Sequence, residues 1–436
     1  MNLQERDKAV IWHPFTPFKF APNPIPIVSG KGIYLTDESG NRYLDAISSW
    51  WVTLHGHAHP YIAEKIYKQA LSLEQVIFAG FTHRPAIELA ERLLPLLPGA
   101  FSKIFYSDNG STSTEVAVKM ALQYWWNKEK SATGVTTAKR KKILAFNNSY
   151  HGDTFGAMSV SDRSVFTLAF HDKLFEVVFI DTPTHENLNS LLAVIAEEGP
   201  TIAAFIYEPL LQGAGGMKLY ASGPMNALLA EVKKAGILCI ADEVMTGFGR
   251  TGNLFASSAL ALPPDIICLS KGLTGGTMAL GVTAVTAAVV EAFQSADKLQ
   301  TFFHGHSFTA NPIACAAALA SLDLLQEPSC MDSIDFITSK NRDYLSRLSV
   351  NTALPVKNPR QLGTILAFEI NRGNDEYLND ISVSLTRKAL AAGIYLRPLG
   401  NTVYIMPPYC ITGDELNMIY RLLDELVLET ATPPAE

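Results

Sequence analysis

The sequence predicts an α/β fold: a large domain on a mostly parallel sheet flanked by helices, plus a smaller α+β domain drawn from both chain ends. Three observations predict it. Short apolar runs recur at 103–107, 142–146, 176–180, 202–207, 236–241, 265–269 and 282–290, with helical patterns between most of them. That alternation is the signature of parallel strands joined by crossover helices. The chain has 436 residues, beyond the length at which one core keeps growing, so two domains are expected. Its residues are 48% hydrophobic, enough for a large buried core and too evenly spread for a disordered chain.

Taken in order, residues 1–60 are rich in Pro, Gly and aromatic residues and show little helical pattern. Pro22, Pro24 and Pro26 impose an extended path. Residues 32–45 read as a hairpin turning at Ser39-Gly40-Asn41. From about residue 60 the pattern changes, and helical periodicity covers 61–77, 85–95 and 112–129. A large domain over 61–330 closes in a helix at 311–326. Residues 331–436 alternate helix and strand on a smaller scale, end in an amphipathic helix at 413–429, and form the small domain together with 1–60. The tail Thr432 to Glu436 reads as a frayed end.

Charge and cysteine usage exclude several classes of function. The formal charge is −7, from 35 basic and 42 acidic residues, with no basic block of the kind that phosphate backbones require. No nucleic acid partner is expected. The run Lys139-Arg140-Lys141-Lys142 precedes the apolar stretch 143–146 and reads as a solvated loop. Five cysteines lack CxxC spacing, and their odd count points to a reducing compartment. Met1 to Lys8 is too polar for a signal peptide, and no apolar run reaches about 18 residues. A cytoplasmic enzyme without a membrane partner is the expectation.

Three strand ends carry chemistry. After the run 103–107, Ser107-Asp108-Asn109-Gly110-Ser111-Thr112-Ser113-Thr114-Glu115 turns into a helix with Glu115 expected in its first turn. Helix N-terminal amides beside hydroxyls can cradle a phosphate, or the segment is an ordinary helix cap. Neither GxxxxGK[ST] nor GxGxxG after a strand is present, so nucleotide folds are disfavoured. The run 237–241 ends in Asp242-Glu243, at the kind of strand end where open α/β sheets bind ligands. A carboxylate there serves a cationic ligand, a helix cap or a salt bridge. The run 265–269 ends in Ser270-Lys271-Gly272, before a Gly-rich turn. Lys271 is either a solvated end or an amine held for imine chemistry, and its company with the other two strand ends favours the amine. Glu208-Pro209, at a further strand end, fits a pocket wall or a substrate gate, and Trp50-Trp51 in a Gly- and His-rich loop fits a cavity lining. His55, His57 and His59 alternate without a nearby carboxylate or thiol, so no metal is expected.

The segments DNGST at 108–112, SYHGDTFGAMS at 149–159, ADEVMTGFGRTG at 241–252, LSKGLTGG at 269–276 and HGHSFTANPIACAAALA at 304–320 occur in an order that resembles the class III aminotransferases of fold type I. The resemblance covers nearly the whole chain and implies pyridoxal 5′-phosphate as cofactor. Within that family, residues 13–16, Ser48-Ser49-Trp50-Trp51, 55–60, 396–400 and 404–409 are most similar to the members of biotin biosynthesis that aminate 8-amino-7-oxononanoate to 7,8-diaminononanoate, with S-adenosylmethionine as amino donor. The resemblance implies that Lys271 binds the cofactor covalently and shuttles the proton, that Asp242 holds the pyridine nitrogen protonated, and that Tyr150 stacks on the ring. It implies phosphate binding by Gly110 and Ser111. It also implies a homodimer in which Gly305, His306 and Ser307 reach the neighbouring subunit's site, with the Ser307 hydroxyl on the phosphate. Phe15, Trp50, Tyr150, Asp153, Arg397 and Tyr404 would contact substrate, Arg397 through its carboxylate, and Arg250 would support the site. Phe15 stands where Tyr is usual, and His306-Ser307 where Pro-Thr is usual. Alternatives are a class III enzyme for an ω-amino acid or diamine, and a catalytically silent cofactor-binding protein.

Overall fold

Seven apolar strands with helices between them pair into one sheet in the computed structural model, which describes residues 1–19, 21–134, 138–350, 354–371 and 381–431. Their order is Phe101–Ser107, Gly281–Thr286, Ile266–Leu269, Leu238–Asp242, Ile202–Tyr207, Lys142–Phe146 and Val177–Ile180. Only Gly281–Thr286 runs against the others. It follows Ile266–Leu269 without a crossover helix, and a parallel return needs one. Ile202–Tyr207 and Leu238–Asp242 are buried at every residue, as strands covered on both faces must be. The consequence for function is geometric: Ser107, Phe146, Tyr207, Asp242 and Leu269 all end their strands at the same edge.

The chain ends share a second sheet. Ile27–Lys31, Tyr34–Asp37 and Arg42–Asp45 pair in sequence, and Ile394–Tyr395 adds in parallel beside Leu44 and Asp45. The expected hairpin is present, its turn tied by the Asp37 carboxylate, which accepts from the amides of Ser39 and Asn41. A third sheet joins Val356–Leu362, Ile365–Ile370 and Thr402–Ile405.

Several boundaries differ from the sequence expectation. The helix Gly110–Thr133 starts early because Asn109 caps it, its side chain accepting from Thr112 N at 2.9 Å. Glu115 is therefore past the first turn, where it accepts from Thr154 Oγ1 and the Ala157 amide. The run 282–290 is a strand only to Thr286 and then turns into the helix Ala287–Glu291. The helix expected at 61–77 is Pro60–Ser72. The N-terminal segment contains a helix, Leu3–Val10, closed by a capping box between Asn2 and Glu5. Arg140 is no part of a solvated loop: its guanidinium donates to the carbonyls of Gly199, Ile202 and Ala235. All five cysteines are free, with Cys410 alone exposed. Among the described residues no helix is long and apolar enough to cross a membrane. The tail from Thr432 to Glu436 lies outside the described residues.

Candidate active site

The aligned strand ends open into a cavity of about 800 Å³, lined by Gly110, Ser111, Tyr150, Glu208, Asp242 and Lys271 among others. Lys271 follows the buried strand Ile266–Leu269 and starts a single 3₁₀ turn. Its φ of 45° is unusual for a residue with a side chain, and Ser270 Oγ anchors the segment by donating to the Leu280 carbonyl. A Cβ on Gly276 would lie 2.8 Å from the Val52 and Thr53 backbone, so glycine there lets the Trp51 loop close over the lysine. The Lys271 ammonium sits 4.4 Å from the Trp51 ring centroid. Removal from water lowers its pKa to about 8, with Asp242 and Glu208 opposing the shift.

Asp242 and Glu243 have separate tasks. Glu243 is fully buried and accepts from the amides of Ala256 and Ser257, which fixes the following loop. Asp242 faces the cavity; its Oδ1 accepts from Val244 N, and its Oδ2 lies 2.7 Å from His151 Nδ1. An ionised carboxylate only accepts, so Nδ1 carries the proton of that contact. His151 Nε2 is buried without a partner among the described residues. Glu208, at the end of Ile202–Tyr207, accepts from Gly213 N and Tyr150 N, and burial pushes its carboxyl up to about 7.

The N-terminus of Gly110–Thr133 forms one wall. Gly110 packs so closely on Val244 that a Cβ would come within 2.6 Å of it. Ser111 Oγ meets Thr154 Oγ1 at 2.9 Å and accepts from Thr154 N. Gly152, at φ 132°, would drive a Cβ into Ser111 Oγ. An aromatic cluster lies at the mouth, where Phe15 meets Trp50 at 5.5 Å and Phe166 at 5.8 Å between centroids, and Tyr150 meets Phe166 at 6.2 Å. The Arg397 guanidinium lies 4.9 Å from the Trp50 ring centroid and forms no ion pair among the described residues. Asp153 is exposed on the rim.

Of the residues singled out from sequence, Phe15, Trp50, Gly110, Ser111, Tyr150, Asp153, Glu208, Asp242 and Lys271 line this one cavity. Tyr404 and Arg397 do not: Arg397 reaches it only through Trp50, and Tyr404 is buried behind Trp51, whose indole N–H donates to its hydroxyl at 2.8 Å. Arg250 is also buried and ties two loops by donating to the carbonyls of Pro407 and Thr53. Gly305, His306 and Ser307 lie outside the cavity lining of their own chain, with the Ser307 carbonyl accepting from Gln75 Nε2. His57 pairs with Asp45 and His55 with Ser321. Sequence reasoning missed His151 as the partner of Asp242, although it adjoins Tyr150, because nothing local says which strand end it meets. Phe166 was missed as well, and no sequence pattern marks it.

The chain matches the family model described as aminotransferase class III over residues 19–427. It is 46% identical to the adenosylmethionine-8-amino-7-oxononanoate aminotransferase of Synechococcus elongatus, across 96% of this chain and 98% of that one. Its identity to the protein of the same name from Geobacter sulfurreducens is 36%, across 98% and 97%. Among solved structures, the adenosylmethionine-8-amino-7-oxononanoate aminotransferase of Methanocaldococcus jannaschii superposes with a TM-score of 0.91 at 32% identity, covering 98% of each chain. An omega transaminase of Pseudomonas jessenii in complex with PMP superposes with a TM-score of 0.89 at 28% identity, covering 99% and 98%. With the lysine, the carboxylate and the helix N-terminus gathered at one sheet edge, and a family match along nearly the whole sequence, this chain belongs to the class III aminotransferases.

Proposed function

We propose that the chain transfers an amino group from S-adenosylmethionine to 8-amino-7-oxononanoate, giving the 7,8-diamine of biotin biosynthesis. As a class III aminotransferase it depends on pyridoxal 5′-phosphate. When bound, that cofactor supplies an aldehyde for the amine and a conjugated ring that takes up the electron pair released at the substrate carbon. The cavity fits such a group: among the described residues His151 Nε2 is an orphaned buried polar atom on the residue that pairs with Asp242, and Lys271 and the Gly110–Ser111 helix start line the same space.

In this reading each residue has one task. Lys271 Nζ, partly neutral near pH 8, takes the proton from the substrate carbon and returns it. Asp242 would hold the proton on the ring nitrogen of the bound cofactor, and His151 fixes that carboxylate by donating from Nδ1. The amides and hydroxyl at Gly110 and Ser111 receive the phosphate. Tyr150, in the cavity wall, would cover the cofactor ring and exclude water. Phe15 and Trp50 shape the apolar approach, Asp153 stands at its rim, and Tyr404 and Arg250 hold the Trp51 and Thr53 loop in place. The domain division of 1–60 with 331–436 against 61–330 is supported by the pairing of Ile394–Tyr395 beside Leu44–Asp45. A cytoplasmic setting is supported by five free thiols.

The observation that carries the choice of acceptor is Arg397, an arginine with no ion pair among the described residues that lies on Trp50, a residue of the cavity lining. A long keto acid bears its carboxylate far from the reacting carbon and needs a cation at that distance. A planar guanidinium binds a carboxylate in two places, which an ammonium does not. Arg397→Ala should weaken use of 8-amino-7-oxononanoate by about 1.5–3 kcal/mol, the worth of a charged hydrogen bond. Single-turnover absorbance of the two half-reactions checks this. The donor half-reaction should change little, and equal losses in both halves would remove Arg397 from the acceptor site.

A homodimer with shared sites is part of the same reading. Its support is that Gly305-His306-Ser307 leaves its own cavity while Phe303 and Phe308 beside it are exposed at 72% and 63%. Mixing Lys271→Ala protein with Ser307→Asp protein should restore about a quarter of wild-type activity after full subunit exchange, since half the dimers are mixed and each has one intact site. No recovery with exchange demonstrated by mass spectrometry would mean that each site is built from one chain.

A further inference from the structure

Trp50 and Trp51 are neighbours in the chain yet serve different parts of the site. Trp50 lies against Arg397 and Phe15 at the mouth, while Trp51, only 5% exposed, covers Lys271 from within. The loop manages this through an unfavourable backbone. Ser48, Ser49 and Trp51 hold φ values of 54°, 60° and 67°, and none of them is glycine. Such conformations persist only where the surrounding contacts over-determine them. We infer that Asp45, braced by His57, is the positioning residue that over-determines this loop, and that it sets acceptor recognition and the cover of Lys271 together. The acceptor part of this inference rests on the reading of Trp50 and Arg397 as the acceptor wall.

Asp45 ends the strand Arg42–Asp45 and is fully buried. Its Oδ1 accepts from Ile47 N at 3.2 Å. Its Oδ2 accepts from Ser49 N at 2.6 Å, Ser49 Oγ at 3.3 Å and His57 Nε2 at 2.9 Å. Both oxygens therefore hold the entry to the strained segment. His57 is itself seated by the hairpin: its amide donates to the Gly32 carbonyl, and a Cβ on Gly30 would come within 2.7 Å of the His57 Cβ. Ser48 Oγ adds a bond to the Met406 carbonyl. At the far end of the loop, Arg250 donates to the Thr53 carbonyl and lies within range of the Asp45 charge. Asp45 does not line the cavity, so it reaches the chemistry only through the two tryptophans that it sets.

An amide has one oxygen, which cannot serve Ile47 N and the Oδ2 donors at once, so Asp45→Asn frees the loop at its entry. Two readings should shift. The half-saturating 8-amino-7-oxononanoate concentration should rise about tenfold, as Trp50 leaves its place beside Arg397. The pH midpoint for cofactor uptake by stripped protein should move up from about 8 by about one pH unit, as water reaches Lys271. The direction separates positioning from charge. Asp242, Glu208 and Arg250, the charges that face Lys271, stay in place, and loss of a carboxylate charge by itself would push the midpoint down. His57→Leu should move both readings the same way, and His57→Gln, which keeps an N–H near the place of Nε2, should restore most of the shift. Circular dichroism and the thermal midpoint establish that each variant is folded. An unmoved or lowered uptake midpoint in folded Asp45→Asn, or an unchanged half-saturating concentration, would overturn the assignment. Should Asp45→Asn not fold, the His57 pair carries the same comparison, and equal behaviour of the Leu and Gln variants overturns it. Wild-type protein that aminates no keto acid overturns the acceptor reading, and the uptake midpoint, measured with cofactor alone, still decides whether Asp45 sets the cover of Lys271.

Discussion

Lys271→Ala is expected to lower turnover by about 10³-fold or more, since a positioned acid–base group alone contributes roughly 10²–10⁴-fold and this lysine is also the residue proposed to link to the cofactor. Borohydride reduction of the loaded wild-type protein should attach the cofactor to the peptide containing Lys271, and label on another lysine would sink the assignment. The reaction at this amine also has a predicted pH profile. The neutral amine reacts with an aldehyde, and the folded protein holds the Lys271 pKa at about 8 instead of 10.5. A pKa lowered by burial means that the neutral form dominates above about 8. Cofactor uptake by stripped protein, followed in a stopped-flow spectrophotometer, should therefore rise with pH up to about 8 and level off above it. A rate still climbing through about pH 10 would show an ordinary, solvated lysine.

Asp242→Asn should leave the fold intact and cut turnover several hundred-fold. Asp242 is 5% exposed and sits between Val244 N, His151 Nδ1–H and the cavity, so its charge is compensated on one side and available on the other. An amide cannot hold the ring nitrogen's proton, and losing one partner of a buried charged pair costs about 3–5 kcal/mol. The amide could still accept from His151, which keeps the packing and separates this effect from misfolding. Two measurements check it: the thermal midpoint, expected to move little, and single-turnover rates, expected to fall in both half-reactions alike. Near-normal rates with an unchanged midpoint would assign the carboxylate a purely structural task.

The large sheet was legible because its strands are continuous apolar runs, and a strand buried on both faces has no alternation to confuse with a helix. Ile202–Tyr207 and Lys142–Phe146 begin and end where the apolar run does. Boundaries failed where a polar contact decides them, as at Asn109, whose cap moves the helix start two residues earlier than the periodicity suggests. The strand expected to continue past Thr286 stops there because Ala287–Glu291 is as apolar as a strand, and composition alone does not separate the two. In the site, Lys271 and Asp242 were legible from their places at the ends of apolar runs. His151 and Phe166 were not, because their significance lies in contacts across 91 residues to Asp242 and across the cavity mouth to Phe15. Arg140 shows the same limit in reverse: a basic run looks solvated until the three carbonyls that one guanidinium satisfies are in view.

The most direct test of the central claim is a product measurement. Purified, cofactor-loaded protein is mixed with 8-amino-7-oxononanoate and S-adenosylmethionine, and 7,8-diaminononanoate is followed by mass spectrometry, with Lys271→Ala protein alongside. Steady formation of the diamine by the wild-type chain is expected, dependent on both substrates and lost in Lys271→Ala. No diamine from the wild-type chain, while it aminates a shorter ω-oxo acid or another ketone from the same or a simpler amine, would contradict it.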